Sequence, residues 1–255
     1  MISRTKMLLI VVLFVIAITG IRLTWLSFQK TIDHPQAVNG ILDLRGWQLP
    51  ADHTIPLNGQ WEFFPSRLLT PKERTIQQHS SESEKTYIEV PGDWKNAFSD
   101  GKDPSFRYGT YRLQILLDDP SHPTYKLRIN EIRNASAVYV NGRLYAEAGQ
   151  PATKQTLQQA RNIPYSVTIP AGDETIEIVI QASNHAGKGG ITQPIRFGTI
   201  DAVDNRTLLS AGLQFMLCVV LCCTAYMLFS CTFWERRTEG CSTSPSLSSV
   251  PFSAC

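Results

Sequence analysis

A chain of 255 residues with 43% hydrophobic side chains and a net charge of +2 has the means to bury a sizeable core. It has no basic stripe interleaved with aromatics, which excludes nucleic acid as an expected partner. All six cysteines (218, 222, 223, 231, 241 and 255) fall in the C-terminal stretch, so the region before them must be stable without disulfides.

At the N-terminus Arg4 and Lys6 flank an apolar run, MLLIVVLFVIAITGI, that ends before Arg22. Residues 1–28 read as a signal peptide or a signal anchor; cleavage after Thr19 or Gly20 and retention as an anchor both fit. Basic residues at Arg4 and Lys6, and again at Arg236 and Arg237, would all be cytoplasmic if residues 29–207 lie outside. The expected location is therefore the plasma membrane, with residues 29–207 extracellular.

Residues 37–203 read as strands. ILDLRGWQL (41–49), IPLNGQWEFF (55–64) and TYIEVPGDW (86–94) come first. YGTYRLQILLDD (108–119), TYKLRINEI (124–132), ASAVYVNGRLYAEAG (135–149), NIPYSVTIP (162–170) and ETIEIVIQASN (174–184) follow, punctuated by Asp-Pro, Asn-Gly and Ala-Gly-Asp turn signals. Apolar and polar residues alternate in Tyr111–Ile115 and Thr175–Ile180, the period of a sheet with one buried face. Val140-Asn141-Gly142-Arg143 predicts a hairpin, because Asn and Gly both accept the positive φ of a type I′ turn. Strands spaced about ten residues apart predict an all-β fold, a β-sandwich or jelly roll. The polar stretch 70–85 is expected as a long exposed insertion within it.

Leu208 to Ser230 carries no formal charge and is long enough to span a bilayer. Gln214 is the strongly polar side chain in its interior, the kind of group that bonds a neighbouring helix. Residues 231–255 then turn Ser-, Pro- and Cys-rich. Read one base earlier, Phe233-Trp234-Glu235 must encode Leu-Gly, Cys231-Thr232 gives Tyr or His, and the tail from Gly240 onward can read as a second apolar helix. The tail is therefore expected to be frameshifted and disordered, and Cys222-Cys223 receive no function.

The motifs IPLNGQWEFFPSRLL, IEVPGDW, YGTYRLQI, AVYVNGRLYAEAGQP and IEIVIQASN, then an IRFGT strand and a membrane helix, come in a characteristic order. In that order they resemble the extracellular domain of bacterial seven-transmembrane receptors with diverse intracellular signalling modules. The resemblance covers about residues 37 to 230. It implies a galactose-binding-like jelly roll that senses a carbohydrate or other small molecule, followed by the first helix of a seven-helix bundle. It implies a separate cytoplasmic kinase, cyclase or phosphatase in intact relatives, which could pair as homodimers through their membrane helices. Two other classes fit the same composition: a free-standing membrane-anchored binding or scaffold protein, and a carbohydrate-binding accessory subunit of a surface glycosidase.

The chain is not expected to be an enzyme. The five histidines (34, 53, 79, 122 and 185) lie far apart without metal-ligand spacing. No nucleophile elbow or phosphate-cradling glycine loop occurs, and no cofactor or metal is expected. Paired carboxylates such as Asp118-Asp119 sit in turn contexts. For binding, a sugar site needs a flat aromatic beside amides or charges. The candidates are Trp94, Tyr108 and Tyr111, with Asn184, His185 and Lys188 in the glycine-rich turn 184–190. Each has a structural alternative: Trp61 and Trp94 as core plugs, Tyr111 as a packing residue, Asn184 as the end of a strand.

Overall fold

The computed structural model describes residues 4–28, 33–69, 85–98, 106–118, 124–170, 172, 174–185 and 189–241. The expected insertion at 70–85 lies outside these apart from Lys85. The chain divides into two compact units, Met1–Val203 and Asp204–Cys255.

In the first unit, helix α1 (Arg4–Phe28) covers the expected leader, and its strongly apolar part, Val11–Thr24, is shorter than a bilayer span. The strands are β1 (Ile41–Asp43), β2 (Ile55–Pro56), β3 (Gly59–Pro65), β4 (Thr86–Val90), β5 (Arg107–Leu116) and β6 (Tyr125–Ile129). They continue as β7 (Ala135–Val140), β8 (Arg143–Ala148), β9 (Tyr165–Ile169), β10 (Thr175–Asn184) and β11 (Arg196–Thr199). A seven-stranded sheet runs β4-β3-β5-β10-β7-β8, with β1 alongside β5; a four-stranded sheet runs β2-β11-β6-β9. Every pairing is antiparallel except β1 with β5.

The alternation in the sequence fixes which face of each strand is buried. On β5, Tyr111, Leu113 and Ile115 are fully buried, and on β10 so are Ile178 and Ile180. Across from them stand Leu127 and Ile129 on β6, Val167 and Ile169 on β9, and Phe197 on β11, all in one core cluster. The Tyr125 and Phe197 rings lie 4.7 Å apart. Burying each such side chain contributes about 1.5–3 kcal/mol, which explains how the domain holds together without disulfides. The far half of β10 is buried on both faces. Gln181 Nε2 donates to the Leu69 carbonyl, and Thr110 Oγ1 bonds Arg67 O and Leu69 N, so the Ser66–Leu69 segment covers the outer face there.

The hairpin forms as expected: Asn141 and Gly142 take φ of 47° and 79° between β7 and β8. Several strands are shorter than the sequence suggests, and the expected 55–64 strand divides into β2 and β3, which lie in different sheets. The first stops at Asp43, not Leu49, because Asp43 Oδ1 accepts the Arg45 amide and Gly46 turns the chain at φ 73°. The third stops at Val90, since Pro91 has no N–H for the ladder and Trp94–Ala97 form a 3-10 turn.

Helix α2 (Ile200–Cys241) begins in the first unit and forms the described part of the second. Its segment Ile200–Tyr226 is long and apolar enough to cross a membrane. The helix runs on past the expected end at Ser230, through helix-tolerant residues such as Glu235, Arg236 and Arg237, with no proline to stop it. Residues 242–255 lie outside those described.

Candidate ligand-binding end of the sandwich

The last register pair of β5 and β10 is Arg107 opposite Asn184. Both face inward and both are buried, an unusual place for an arginine and an amide. Asn184 is held by Asn134, the residue just before β7, whose φ of 69° suits an asparagine. Asn134 Nδ2 donates to Asn184 Oδ1 and lies 3.0 Å from His185 Nδ1. Asn134 is itself fixed by its main chain: its N–H donates to Asn162 Oδ1, and its carbonyl accepts the Arg161 amide.

The 149–162 loop closes over the same end. Gly149 has φ 73°, and a Cβ there would stand 2.1 Å from the Gln159 carbonyl oxygen, so the turn requires glycine. Gln158 Nε2 donates to Ser183 O at 2.7 Å, which points its Oε1 at His185 Nδ1, 3.2 Å away. The two amides make opposite demands on that one nitrogen. With its proton on Nε2, the ring accepts from Asn134 at Nδ1; with a proton on Nδ1, it donates to Gln158. His185 is exposed and therefore holds a polar group at the surface whose hydrogen-bond polarity can change. Asn134-Ala135-Ser136 has the spacing of a glycosylation acceptor, but its Nδ2 is committed to this network, which disfavours modification there.

Beneath the amides lies an aromatic cluster. Phe63 packs 4.7 Å from Tyr111 and 6.3 Å from Trp94, while Trp94 meets Phe98 edge-on at 5.8 Å. The Arg107 guanidinium lies 5.0 Å over Phe98. Trp94 and Tyr111 are wholly buried, so neither ring offers a free face for stacking; both pack in the core. Trp94 Nε1 nevertheless has no hydrogen-bond partner. Burial pushes the Tyr111 phenol far up; its hydrogen bond with the Ile191 backbone works the other way, and the Asp93 carboxylate adds to the rise. Gly189 and Gly190 cross directly over these two side chains: a Cβ on Gly189 would lie 2.5 Å from the Trp94 ring and 2.6 Å from Asn184 Nδ2, and one on Gly190 2.5 Å from Tyr111 Oη.

Of the residues singled out in the sequence, Asn184, His185, Trp94 and Tyr111 thus come together. Tyr108 does not join them. It stands opposite Ser183 on the outer face of β5, near Phe106. Lys188 lies outside the described residues. Asn134, Gln158 and Arg107 were not legible as site residues; the Asn134 turn was the one local signal.

The outer face carries a separate ionic clamp, in which Arg112 bonds Glu177 at 2.7 Å and Glu62 at 3.0 Å. Burial works against the Arg112 charge, but the hydrogen bonds it donates to the Glu177 and Glu62 carboxylates outweigh this and raise its pKa. Both carboxylates are thereby committed to a structural cation. Among the described residues, no group of three or more His, Cys, Asp or Glu side chains could hold a metal ion.

No family model matches the chain, and no curated protein matches it. Solved structures similar to part of it include the Eisenbergiella tayi GH2 beta-galacturonidase bound to galacturonate, at 15% identity and a TM-score of 0.38. That alignment covers 61% of this chain and 26% of the enzyme. The Faecalibacterium prausnitzii beta-glucuronidase aligns at 14% identity and a TM-score of 0.40, over 59% of this chain and 32% of the other. A putative beta-galactosidase from Bacteroides fragilis aligns at 18% and 0.41, over 57% and 23%. The chain spans at most about a third of the length of these proteins. The sandwich assignment rests on the strands and their register.

Proposed function

We propose that this chain is the extracellular ligand-binding portion of a membrane receptor, non-catalytic in itself, taking a carbohydrate or another small polar molecule at the Asn184–His185 end of the sandwich. The observation that carries the reading is the Asn134–Asn184–His185–Gln158 network. It gathers amides from three chain segments at one strand end and leaves an exposed imidazole among them. Amides and an imidazole are suited to hydroxyl groups, since they donate and accept in fixed directions.

The receptor part of the proposal is supported by connectivity and by resemblance. β11 ends at Thr199 and the apolar helix begins at Ile200, with no linker between. The motif order resembles that of receptors whose extracellular domain opens directly into a helix bundle. The apolar reading of the C-terminal codons in the neighbouring frame supports the same assignment. Sequencing the coding DNA from about codon 200 onward tests this part: further apolar helices and a signalling module in the other frame support a receptor, and an early stop there contradicts it. Binding is tested by calorimetry on the full chain in nanodiscs with a panel of mono- and disaccharides, with His185→Ala and Asn134→Ala as comparisons. A ligand that binds the wild type and is lost in His185→Ala supports the site; one that binds both equally places recognition elsewhere.

A further inference from the structure

The two sheets carry opposite charge on their outward faces. In the four-stranded sheet, Lys126 and Arg128 alternate along β6 with the core residues Tyr125, Leu127 and Ile129, so both point away from the core. Arg196 on β11 is the direct register partner of Arg128. The strands β2, β6, β9 and β11 contain no aspartate or glutamate. In the seven-stranded sheet the pattern is reversed. Glu62 sits between core residues Trp61 and Phe63, Glu89 between Ile88 and Val90, and Glu177 between Ile176 and Ile178, so all three lie on the outer face. Glu147 joins them, opposite Ala137, which pairs in turn with outer-face Gln181. Of the strand cations there, Arg107 and Arg143 stand opposite inward-facing Asn184 and Val140. Arg112 does lie on the outer face, shared between Glu62 and Glu177. Asp43 is bonded to Arg45, and Arg67 and Lys85 lie beyond the ends of β3 and β4. The strands of this face therefore carry an excess of carboxylates.

The basic face is unfavourable for a sandwich standing alone. Like charges directly opposite on neighbouring strands repel, and the Arg128–Arg196 pair has Lys126 on the adjacent diagonal. An acidic surface laid against these three residues relieves that repulsion, and the chain presents one on its other sheet. That surface also offers apolar contact. Tyr87, opposite Glu62, and Leu144, opposite Tyr139, flank the carboxylates at the two edge strands and are 37% and 44% exposed. We propose that the outer face of the four-stranded sheet docks onto the outer face of the seven-stranded sheet of a second copy of this chain. The two faces lie on opposite sides of one sandwich, so the contact is heterologous. Each copy offers its acidic face to one neighbour and its basic face to another, and the assembly grows as a row or closes as a ring. The segment Ile200–Tyr226 is long and apolar enough to cross a membrane. Tethering of that kind raises the effective concentration of the copies, so a charge-steered contact of modest affinity suffices. The pairing is independent of what binds at the Asn184–His185 end.

The test uses the full chain in detergent micelles with a reducing agent, so that the C-terminal cysteines form no cross-links. Sedimentation velocity is run at about 0.05 M and about 0.5 M salt, between which the Debye length falls about threefold. Glu89→Lys with Glu147→Lys turns the acidic face basic, and Arg128→Glu with Arg196→Glu turns the basic face acidic. The wild type should form higher oligomers at low salt and lose them at high salt. Each double variant alone should associate about tenfold or more weakly at low salt, because like faces then meet. An equimolar mixture of the two should restore association, since each then finds a complementary neighbour. Should either double variant fail to fold, the single variants Glu89→Lys and Arg128→Glu take the same readings. A wild type that stays single at low salt, association that ignores salt, or a mixture of folded variants that stays apart would each overturn the proposal. Capture of polygalacturonate by the wild type but not by the Arg128→Glu, Arg196→Glu variant, with no self-association, assigns the basic face to an acidic polysaccharide and overturns it too.

Discussion

Thr199 and Ala202 are joined by a cap: the Ala202 amide donates a hydrogen bond of 3.2 Å to Thr199 Oγ1. The same hydroxyl donates to the Ala51 carbonyl at 2.6 Å. One side chain therefore ends β11, starts the apolar helix, and ties that start to a loop of the sandwich. Ala202 and Val203, in the first turn, are buried in the same unit. Thr199→Ala should destabilise the sandwich by about 1–2 kcal/mol through the lost cap and loop contact, whereas Thr199→Ser, which keeps the hydroxyl, should cost little. Chemical denaturation of both variants in the same detergent checks this; equal midpoints for the two would refute it.

Asn134 holds Asn184 with its side chain and a left-handed turn with its backbone, and two substitutions separate these roles. Asn134→Gly keeps the φ of 69° accessible but removes the amide from the buried Asn184. It should destabilise by about 1–3 kcal/mol. Asn134→Ala adds backbone strain on top, about 1 kcal/mol more. The order wild type, glycine, alanine in melting temperature is the expected outcome, and an alanine variant at least as stable as the glycine one would contradict the assignment.

The clamp on the outer face makes an asymmetric prediction. Replacing Arg112 with methionine leaves Glu62, buried at 7% exposure, beside Glu177 with no cation between them. Breaking a largely buried ion pair from one side costs about 3–5 kcal/mol. Glu177→Gln keeps an oxygen to accept from Arg112 and leaves the pair with Glu62, so its cost should be less than half of that. Denaturant titration of both variants measures the difference, and similar losses would show that the clamp does not act through Arg112.

Tyr165 is pushed up to about 12 by burial, against the lowering effect of its hydrogen bond with Ser136. A raised pKa means that the folded state favours the neutral phenol. The associated stability is complete below the unfolded value of 10 and is lost as pH rises towards 12. Between these values the wild type should lose stability more steeply than Tyr165→Phe. Parallel slopes for the two proteins over that window would exclude the linkage.

The strands were legible because their two-residue period survives in the sequence: Tyr111, Leu113 and Ile115 announce an inward face, and Asn141-Gly142 announces a turn. Burial on the outer face of β10 was not legible. Gln181 and Ser183 are polar and lie on the outer face, and they are covered because Leu69 and the 149–162 loop fold back over them from distant points in the chain. The site divides in the same way. Asn184 and His185 could be singled out as polar residues in a glycine-rich turn, but Asn134 and Gln158 meet them across about 50 and 27 positions. Trp94 and Tyr111 were candidates for a stacking surface. Their rings instead fill the core, because the inward period of β5 and the Trp94–Ala97 turn place both beside Phe63.

The measurement that tests the account most directly is amide hydrogen exchange on the full chain in nanodiscs, with and without whichever saccharide binds in calorimetry. Recognition at the Asn184–His185 end predicts protection confined to the segments around 134, 158 and 184–190, with the edge strands β4 and β8 unchanged. Protection centred on β4 or β8, with no change around Asn134 and Asn184, would contradict the proposed site.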